Sequence, residues 1–269
     1  MVFATGPFVV GLLLSALSVA VVLLVTFAVA RIVGKHSVID TAWGALFAVI
    51  AIVTFLCSSG HGDAARRWLL LVLPVFWGGR LAIHIARRTV GKPEDPRYVE
   101  LLAKAPGNPD LYALRMIYLL QGVLAFLISA PIQVGAYQSA SLPPTAWIGV
   151  ALWLLGVFFE GVGDAQMQRF RRDPANKGKL IQSGLWRYTR HPNYFGDACV
   201  WWGIFLVALG SWPVLLTIVC PIGMTLLLTK GSGARILERH MSKRAGWDDY
   251  AARTSGFIPL PPRKKSATT

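Results

Sequence analysis

Long apolar runs recur along this chain and constrain its fold more than any other feature. Runs of 18 or more mostly apolar residues follow one another from the N-terminus to about residue 229. A run of about 20 such residues can cross a bilayer as a helix, which satisfies its own backbone hydrogen bonds there. Only 15% of the residues are charged, against about 25% in soluble domains. The chain is therefore predicted to be an all-α, polytopic membrane protein.

The sequence divides into seven predicted transmembrane helices. We place them at residues 7–30, 38–57, 68–87, 113–137, 145–165, 194–210 and 212–229. With seven spans, 24 of the 27 lysines and arginines fall on one side of the membrane. Basic loops mark the cytoplasmic side. We therefore expect the N-terminus outside, the C-terminus in the cytoplasm and a multi-pass location in the cell (inner) membrane.

Several segments are predicted to lie outside the bilayer. Residues 88–112 hold four prolines and predict an irregular loop with short helical pieces. Residues 232–254 have the spacing of an interfacial helix. Residues 258–269 predict a basic, disordered tail. Residues 1–257 are interpreted as a single seven-helix membrane domain, whose cofactor-binding part is about 155–257.

The formal charge of +14 lies in the loops of a membrane protein. It favours membrane lipids and a phosphate-bearing ligand as partners over nucleic acid. The three cysteines (Cys57, Cys199 and Cys220) lie in or beside apolar runs without paired spacing, and the histidines are scattered. We therefore expect neither disulfides nor a metal site. No pattern indicates the oligomeric state.

Ionisable residues inside the spans are candidates for function, because each costs several kcal/mol unless it is paired or hydrated. Together with the polar Gln168, they occur at helical spacing along spans three and five and just beyond the ends of these spans: Arg80, His84, Arg87 and Arg88, then Glu160, Asp164, Gln168 and Arg171. These faces either neutralise each other inside the bundle or line a polar cavity at the cytoplasmic end. Asp40 is likewise either a first-turn acid of span two or a cavity residue.

The segment from Gly184 to Asp197 is the most informative part of the sequence. It brings arginines, a histidine, an asparagine and tyrosines to the start of span six, with Pro192 suited to the first helical turn. Helix N-termini and arginines bind phosphates, although an interfacial anchor has the same composition. No glycine-rich motif follows a strand, so a soluble dinucleotide-binding domain is not predicted.

At these residues the chain resembles the steroid 5-alpha-reductase-like membrane reductase superfamily, in a bacterial branch catalogued as a domain of unknown function. The superfamily is also related to the isoprenylcysteine carboxyl methyltransferase-like fold. The resemblance covers about residues 35–260. It is carried by Ser37 to Gly44, Arg80-Leu81 with His84, Glu94-Asp95 with Arg97-Tyr98, Glu160 with Asp164 and Gln168, Gly184 to Asp197, Trp201-Trp202-Gly203, Ser232-Gly233 with Leu237-Glu238, and Tyr250 to Pro259.

This resemblance implies a seven-helix enzyme that binds NADPH and reduces a carbon–carbon double bond in a lipophilic small molecule. Arginines would clamp the diphosphate and the 2′-phosphate, while acids and Asn193 would hold the ribose or the nicotinamide amide. Carried over by motif, the cofactor-binding residues are Glu160, Asp164, Arg171, Arg187, Arg190, His191, Asn193, Tyr194, Asp197, Arg235 and Glu238.

One departure from the family concerns the proton donor. Steroid reductases polarise the substrate ketone with a tyrosine just after a histidine on the third span, whereas His84 here is followed by Ile85. We expect Tyr98 or His84, together with Asp40, to take the place of that tyrosine as the catalytic group. The substrate itself stays open among enones, sterol-like lipids, unsaturated acyl chains and isoprenoids.

Two other functions stay open from the sequence. Isoprenylcysteine and phospholipid methyltransferases also carry an Arg-His-Pro-x-Tyr segment at a helix start, where it holds S-adenosylmethionine, and Arg190 to Tyr194 fits both families. The acids of span five and the many cations favour the reductase. A non-catalytic lipid-binding protein that keeps the fold is the second alternative.

Overall fold

The computed structural model of the protein describes residues 4–231 and 233–263. Ser232 and the last six residues of the predicted tail, 264–269, lie outside this range. Within it the secondary structure is helical apart from one isolated parallel pairing, between Thr189 and Ser255. The predicted all-α class is confirmed.

The helices are numbered here in chain order. Helix α5 contains one π-helical turn, Leu114–Leu119, and α8 is preceded by the short helix Trp212–Leu215 and the 3-10 turn Leu216–Ile218. The bounds are α1 Thr5–Val33, α2 Val38–Cys57, α3 Ala64–Thr89, α4 Pro96–Leu102, α5 Pro109–Gly135, α6 Pro144–Arg172, α7 Pro192–Ala208, α8 Val219–Thr229, α9 Ala234–Met241 and α10 Trp247–Arg253.

Six segments of the described chain are long and apolar enough to cross a membrane: α1, α2, α3, α5, α6 and the stretch Trp212–Met241. They coincide with six of the seven predicted spans, so the polytopic character is confirmed. The remaining predicted span corresponds to α7, which has 17 residues. At 1.5 Å per residue that is about 26 Å, the lower limit for a bilayer core. The count of seven and the orientation therefore stay predictions.

The chain divides into two compact units. The first consists of the residues up to Ala146 together with Ile204–Cys220. Its core lies between α2 and α3, where Phe47, Ile50 and Trp77 are fully buried. Gly44 and Gly78 let these two helices approach closely, because a Cβ on either would lie within 2.3 Å of the other's carbonyl oxygen.

The second unit consists of Trp147–Gly203 and the residues from Pro221 onward. Here the chain after α10 runs beside the residues that precede α7. Thr189 donates its hydroxyl to the Phe257 carbonyl at 2.8 Å, and the Leu260 N–H donates to the Tyr188 carbonyl at 3.0 Å.

One local prediction for the C-terminal region needs correction. Residues 233–254 hold two short helices, α9 and α10, where a single interfacial helix over 232–254 was predicted. Gly246, with φ of 78°, adopts the left-handed conformation just before α10 and separates the two. Residues 258–263 make two backbone hydrogen bonds, from Leu260 to Tyr188 and from Arg263 to Arg253, and the disordered tail stays a prediction.

Candidate functional site

A cluster of polar side chains at the start of α2 and α4 contains two of the predicted catalytic residues. We call it the tyrosine cluster: Asp40, Asp95, Arg97, Tyr98 and Gln121. The local sequence explains how α4 begins, because Asp95 caps it by accepting a hydrogen bond from the Arg97 N–H at 2.9 Å, and Pro96 occupies the first turn. Arg97 and Tyr98 are thereby fixed in that turn.

Asp40 is the acceptor on which the tyrosine cluster converges. The Tyr98 hydroxyl donates to one carboxylate oxygen at 2.5 Å, and the Arg97 guanidinium donates to the other at 3.0 Å. Arg97 also donates to both oxygens of Asp95 at 3.0 Å. Gln121, on α5, donates its amide to the Tyr98 oxygen at 3.4 Å. Asp40 thus lies in the first turn of α2, as one of the two interpretations of the sequence predicted. It also belongs to a polar cluster.

The surroundings of Tyr98 keep its phenol protonated. The residue is 8% exposed, and burial, together with the charge and hydrogen bond of Asp40, raises the pKa of Tyr98 far above its usual range. Hydrogen bonds and the charge of Arg97 outweigh burial and lower the pKa of Asp95. The cluster therefore combines a neutral phenol donor with an anchored arginine.

His84, the other predicted proton donor, lies on α3 with its side chain half buried. Its catalytic role stays a prediction.

A second cluster lies in the other unit, just before α7, and we call it the arginine cluster: Arg190, His191, Tyr194 and Glu238. Arg190 Nε donates to the Glu238 carboxylate at 2.8 Å, and His191 Nε2 lies 3.0 Å from the same oxygen. The Tyr194 ring stacks on His191, with centroids 5.4 Å apart and planes 11° apart. The structure thus brings together four of the predicted cofactor residues.

Arg190 is largely occupied by the protein itself. Its Nη1 donates to the carbonyls of Ala251 and Thr254 at 3.0 and 2.8 Å, and its guanidinium carbon lies 5.7 Å from the Trp247 ring centroid. The residue therefore ties the C-terminal segment to the start of α7 in addition to any contact with a ligand.

Burial lowers the pKa of His191, while its hydrogen bond to Glu238 acts in the opposite direction. The ring is 1% exposed. Burial therefore favours the neutral form of the ring, which contacts Glu238 on one side and stacks on Tyr194.

The other predicted cofactor residues are distributed around this unit. Asn193 donates its amide to Asp164 at 3.4 Å, and Glu160 and Asp197 are 3% and 9% exposed. Arg171 is exposed in the last turn of α6. Arg187 and Arg235 are also exposed, and within 4–231 and 233–263 their side chains make no hydrogen bond or ion pair. Their role as phosphate-binding residues stays a prediction.

Two structurally central residues were not singled out from the sequence. Glu94 appeared only as part of a family motif, and spacing does not show that its carboxylate accepts the backbone N–H groups of His36, Ser37 and Asp95. Arg66 lies between the second and third predicted spans, where a loop is expected, yet it is 0% exposed. A signal existed for Gln121, which is a polar residue in the middle of an apolar run.

Comparison with known proteins agrees with the resemblance that these motifs carry. The family model described as "Protein of unknown function (DUF1295)" matches residues 26–254. The chain belongs to this family. Its match begins just before the α1–α2 turn and ends beside the C-terminal segment held by Arg190, so it includes both clusters.

The chain also shares distant similarity with three curated proteins. The chain is 25% identical over 169 residues to the Bos taurus protein named 3-oxo-5-alpha-steroid 4-dehydrogenase 1, covering 61% of this chain and 60% of the relative. The Rattus norvegicus protein of the same name is 27% identical over 117 residues, covering 44% and 42%. An uncharacterised Schizosaccharomyces pombe protein is 24% identical over 228 residues, covering 76% and 65%. The match spans less than two thirds of each relative. The relation to methyltransferases stays a prediction.

Proposed function

We propose that this DUF1295 protein is a membrane-embedded, NADPH-dependent reductase of a carbon–carbon double bond in a lipophilic substrate. The observation that carries the proposal is the buried Tyr98 phenol, held by Asp40 at 2.5 Å beside Arg97. A neutral phenol is a general acid of the kind that protonates or polarises a carbonyl oxygen. The bovine and rat relatives are named as dehydrogenases of a 3-oxo steroid, a compound that carries a ketone, which supports a substrate with a carbonyl group.

The proposed reaction needs a hydride and a proton. NADPH, when bound, supplies the hydride. Tyr98 turns its O–H from Asp40 and donates it to the substrate carbonyl oxygen, so that the reduction passes through the enol. The enol returns this proton to Tyr98 as a proton from water adds to the α carbon, and Asp40 and Arg97 hold the phenol in place before and after the transfer. In this proposal Tyr98 takes the role of the tyrosine that steroid reductases carry after a histidine on the third span, and that is absent after His84.

The side chains of the second unit fit a phosphorylated nucleotide. Arg187 and Arg235 are exposed cations without protein partners in the described ranges, which suits phosphate oxygens. Arg171 adds a third exposed cation. Asp164 and Asn193, 3.4 Å apart, offer the acceptor and donor pair that a ribose or an amide requires.

Binding measurements on the purified protein in detergent test this proposal. Isothermal titration with NADPH, NADH and S-adenosylmethionine should show the tightest binding for NADPH. Arg235→Ala should weaken NADPH binding roughly tenfold, the equivalent of one phosphate contact of about 1.4 kcal/mol. Arg239→Ala, an exposed arginine on the same helix, serves as the matched control and should bind normally. Binding of S-adenosylmethionine without NADPH would overturn the proposal in favour of the methyltransferase.

A further inference from the structure

Glu94 makes a set of contacts that the proposed reaction does not use directly. Its carboxylate accepts the backbone N–H of His36 on one oxygen and those of Ser37 and Asp95 on the other, at 3.0 and 2.9 Å for the last two. These hydrogen bonds outweigh burial and lower the pKa of Glu94, which therefore stays ionised. One carboxylate thus joins the α1–α2 turn to the segment before α4.

The start of α2 depends on this carboxylate. Ser37 occupies the capping position of α2, but its side chain makes no capping hydrogen bond. Unsatisfied N–H groups at a helix start need an acceptor, and a carboxylate there is also favoured by the helix dipole. Glu94, distant in sequence, accepts the N–H groups of His36 and Ser37, which directly precede the helix, while the N–H groups of Ile39 and Asp40 donate to the carbonyls of His36 and Ser37 at 3.1 Å. Asp40 follows within the same turn of α2.

The neighbouring carboxylate, that of Asp95, holds the start of α4. Asp95 caps α4 and holds Arg97, while Arg97 and Tyr98 both reach Asp40. The consecutive acids therefore fix two helix starts, Glu94 that of α2 and Asp95 that of α4. The distance between the Tyr98 phenol and Asp40 is set by how these two helix starts lie against each other.

We infer that Glu94 is a positioning residue for the Tyr98–Asp40 pair, which it aligns by clamping the start of α2 to the segment that carries Tyr98. This inference rests on the proposed function in one respect, the catalytic use of Tyr98. The clamp acts through geometry alone and touches neither substrate nor cofactor.

The α1–α2 turn has a second attachment, so removal of Glu94 should displace it without releasing it. The His36 ring lies 3.2 Å from the Tyr118 hydroxyl and 3.2 Å from Asp110, which pairs in turn with Arg31. The turn is therefore held by α5 as well as by Glu94. Variants at Glu94 are expected to fold and to differ in the alignment of Asp40.

A double-mutant cycle tests the inference with four proteins: wild type, Glu94→Ala, Tyr98→Phe and the double variant. Glu94→Ala should lower kcat for alkene reduction roughly tenfold or more, as expected when a reacting group is misplaced, and leave the KM for NADPH unchanged. In the Tyr98→Phe background the same substitution should change kcat less than about twofold, because its effect passes through Tyr98. Equal loss in both backgrounds would overturn the inference.

Two further variants separate positioning from a general loss of stability. Glu94→Gln keeps an oxygen that can accept the N–H groups of Ser37 and Asp95, so its kcat should lie between those of wild type and Glu94→Ala. Asp63→Asn alters a carboxylate that caps α3 at its start, distant along the chain from Tyr98, and should leave kcat unchanged. Equal kcat for Glu94→Gln and Glu94→Ala would argue against the clamp.

A measurement without turnover distinguishes failure of the inference from failure of the proposed function. The ¹³Cζ resonance of Tyr98, identified by its absence in Tyr98→Phe, reports the hydrogen bond of the phenol. It should shift in Glu94→Ala and stay in place in Asp63→Asn, whether or not the protein reduces an alkene. An unchanged resonance in Glu94→Ala overturns the inference. A shifted resonance in a protein whose Tyr98→Phe variant retains full kcat supports the clamp and rejects Tyr98 as the proton donor.

Discussion

Arg66 is fully buried at the start of α3. Its guanidinium donates hydrogen bonds to a group of backbone carbonyls that water would otherwise satisfy. It donates to five of them, at distances from 2.6 to 3.3 Å: those of Gln138, Ala140, Ser141, Val207 and Leu209. Two of these acceptors lie at the C-terminal end of α7, where a cation is favoured by the helix dipole. Arg66 therefore connects α3, the chain after α5 and the end of α7.

Replacement of Arg66 by methionine should destabilise the protein strongly. The substitution leaves several buried carbonyls without donors, which costs about 3 kcal/mol or more. Thermal unfolding in detergent should show a large fall in Tm. Arg67→Met is the matched control, since Arg67 is half buried with two hydrogen bonds, to Ser58 and Phe55, and its loss should lower Tm much less. Equal Tm values for both variants would show that the carbonyl contacts of Arg66 contribute little.

Helices α2 and α3 are held together by close backbone contact at Gly44 and Gly78. A Cβ on Gly78 would lie 2.2 Å from the Gly44 carbonyl oxygen, whereas a Cβ on the adjacent Gly79 would have open space. Because α2 carries Asp40, the spacing of these two helices also affects the tyrosine cluster.

Alanine substitutions at the two neighbouring glycines should have opposite effects. Gly78→Ala forces α2 and α3 apart and should lower Tm and destabilise the protein by about 1–3 kcal/mol. Gly79→Ala adds a methyl group in open space and should be neutral or stabilise the helix by up to about 1 kcal/mol. Unfolding curves of the two variants in the same detergent provide the measurement. A Gly78→Ala protein as stable as wild type would contradict the close packing.

Helix positions were well predicted from the sequence, and the clusters only in part. Apolar runs located α2 at residues 38–57 without error, because the bilayer requires long apolar helices whatever their packing. Tyr98 and Asp40 were expected to share a role, and the structure brings the two side chains into hydrogen-bond contact. The clamp by Glu94 and the burial of Arg66 depend on which backbone groups meet in three dimensions, and no sequence period encodes that. The break at Gly246 needed the backbone conformation itself.

At the scale of the whole molecule, the number of membrane crossings determines which side each cluster faces. With seven spans, the loop after α2 and the loop before α8 lie outside, and the loop after α6 lies in the cytoplasm. Single-cysteine reporters at Ser59, Trp212 and Lys177, all exposed, should show this in intact cells after replacement of the native cysteines. A membrane-impermeant maleimide should label positions 59 and 212 and not 177. Labelling at 59 without labelling at 212 would mean that α7 does not cross.

The central claim is that hydride from NADPH is added to a carbon of a lipophilic substrate while Tyr98 provides the proton. Its most direct test uses NADPH deuterated at the transferable C4 position, the purified protein and a lipid extract, with mass spectrometry of the lipids. The account predicts a deuterium-labelled, reduced lipid with wild type and with the control Tyr112→Phe, and a rate lower by about 10²–10⁴ with Tyr98→Phe. Deuterium that stays in the nucleotide, or labelling of the lipid at an unchanged rate by Tyr98→Phe, would contradict it.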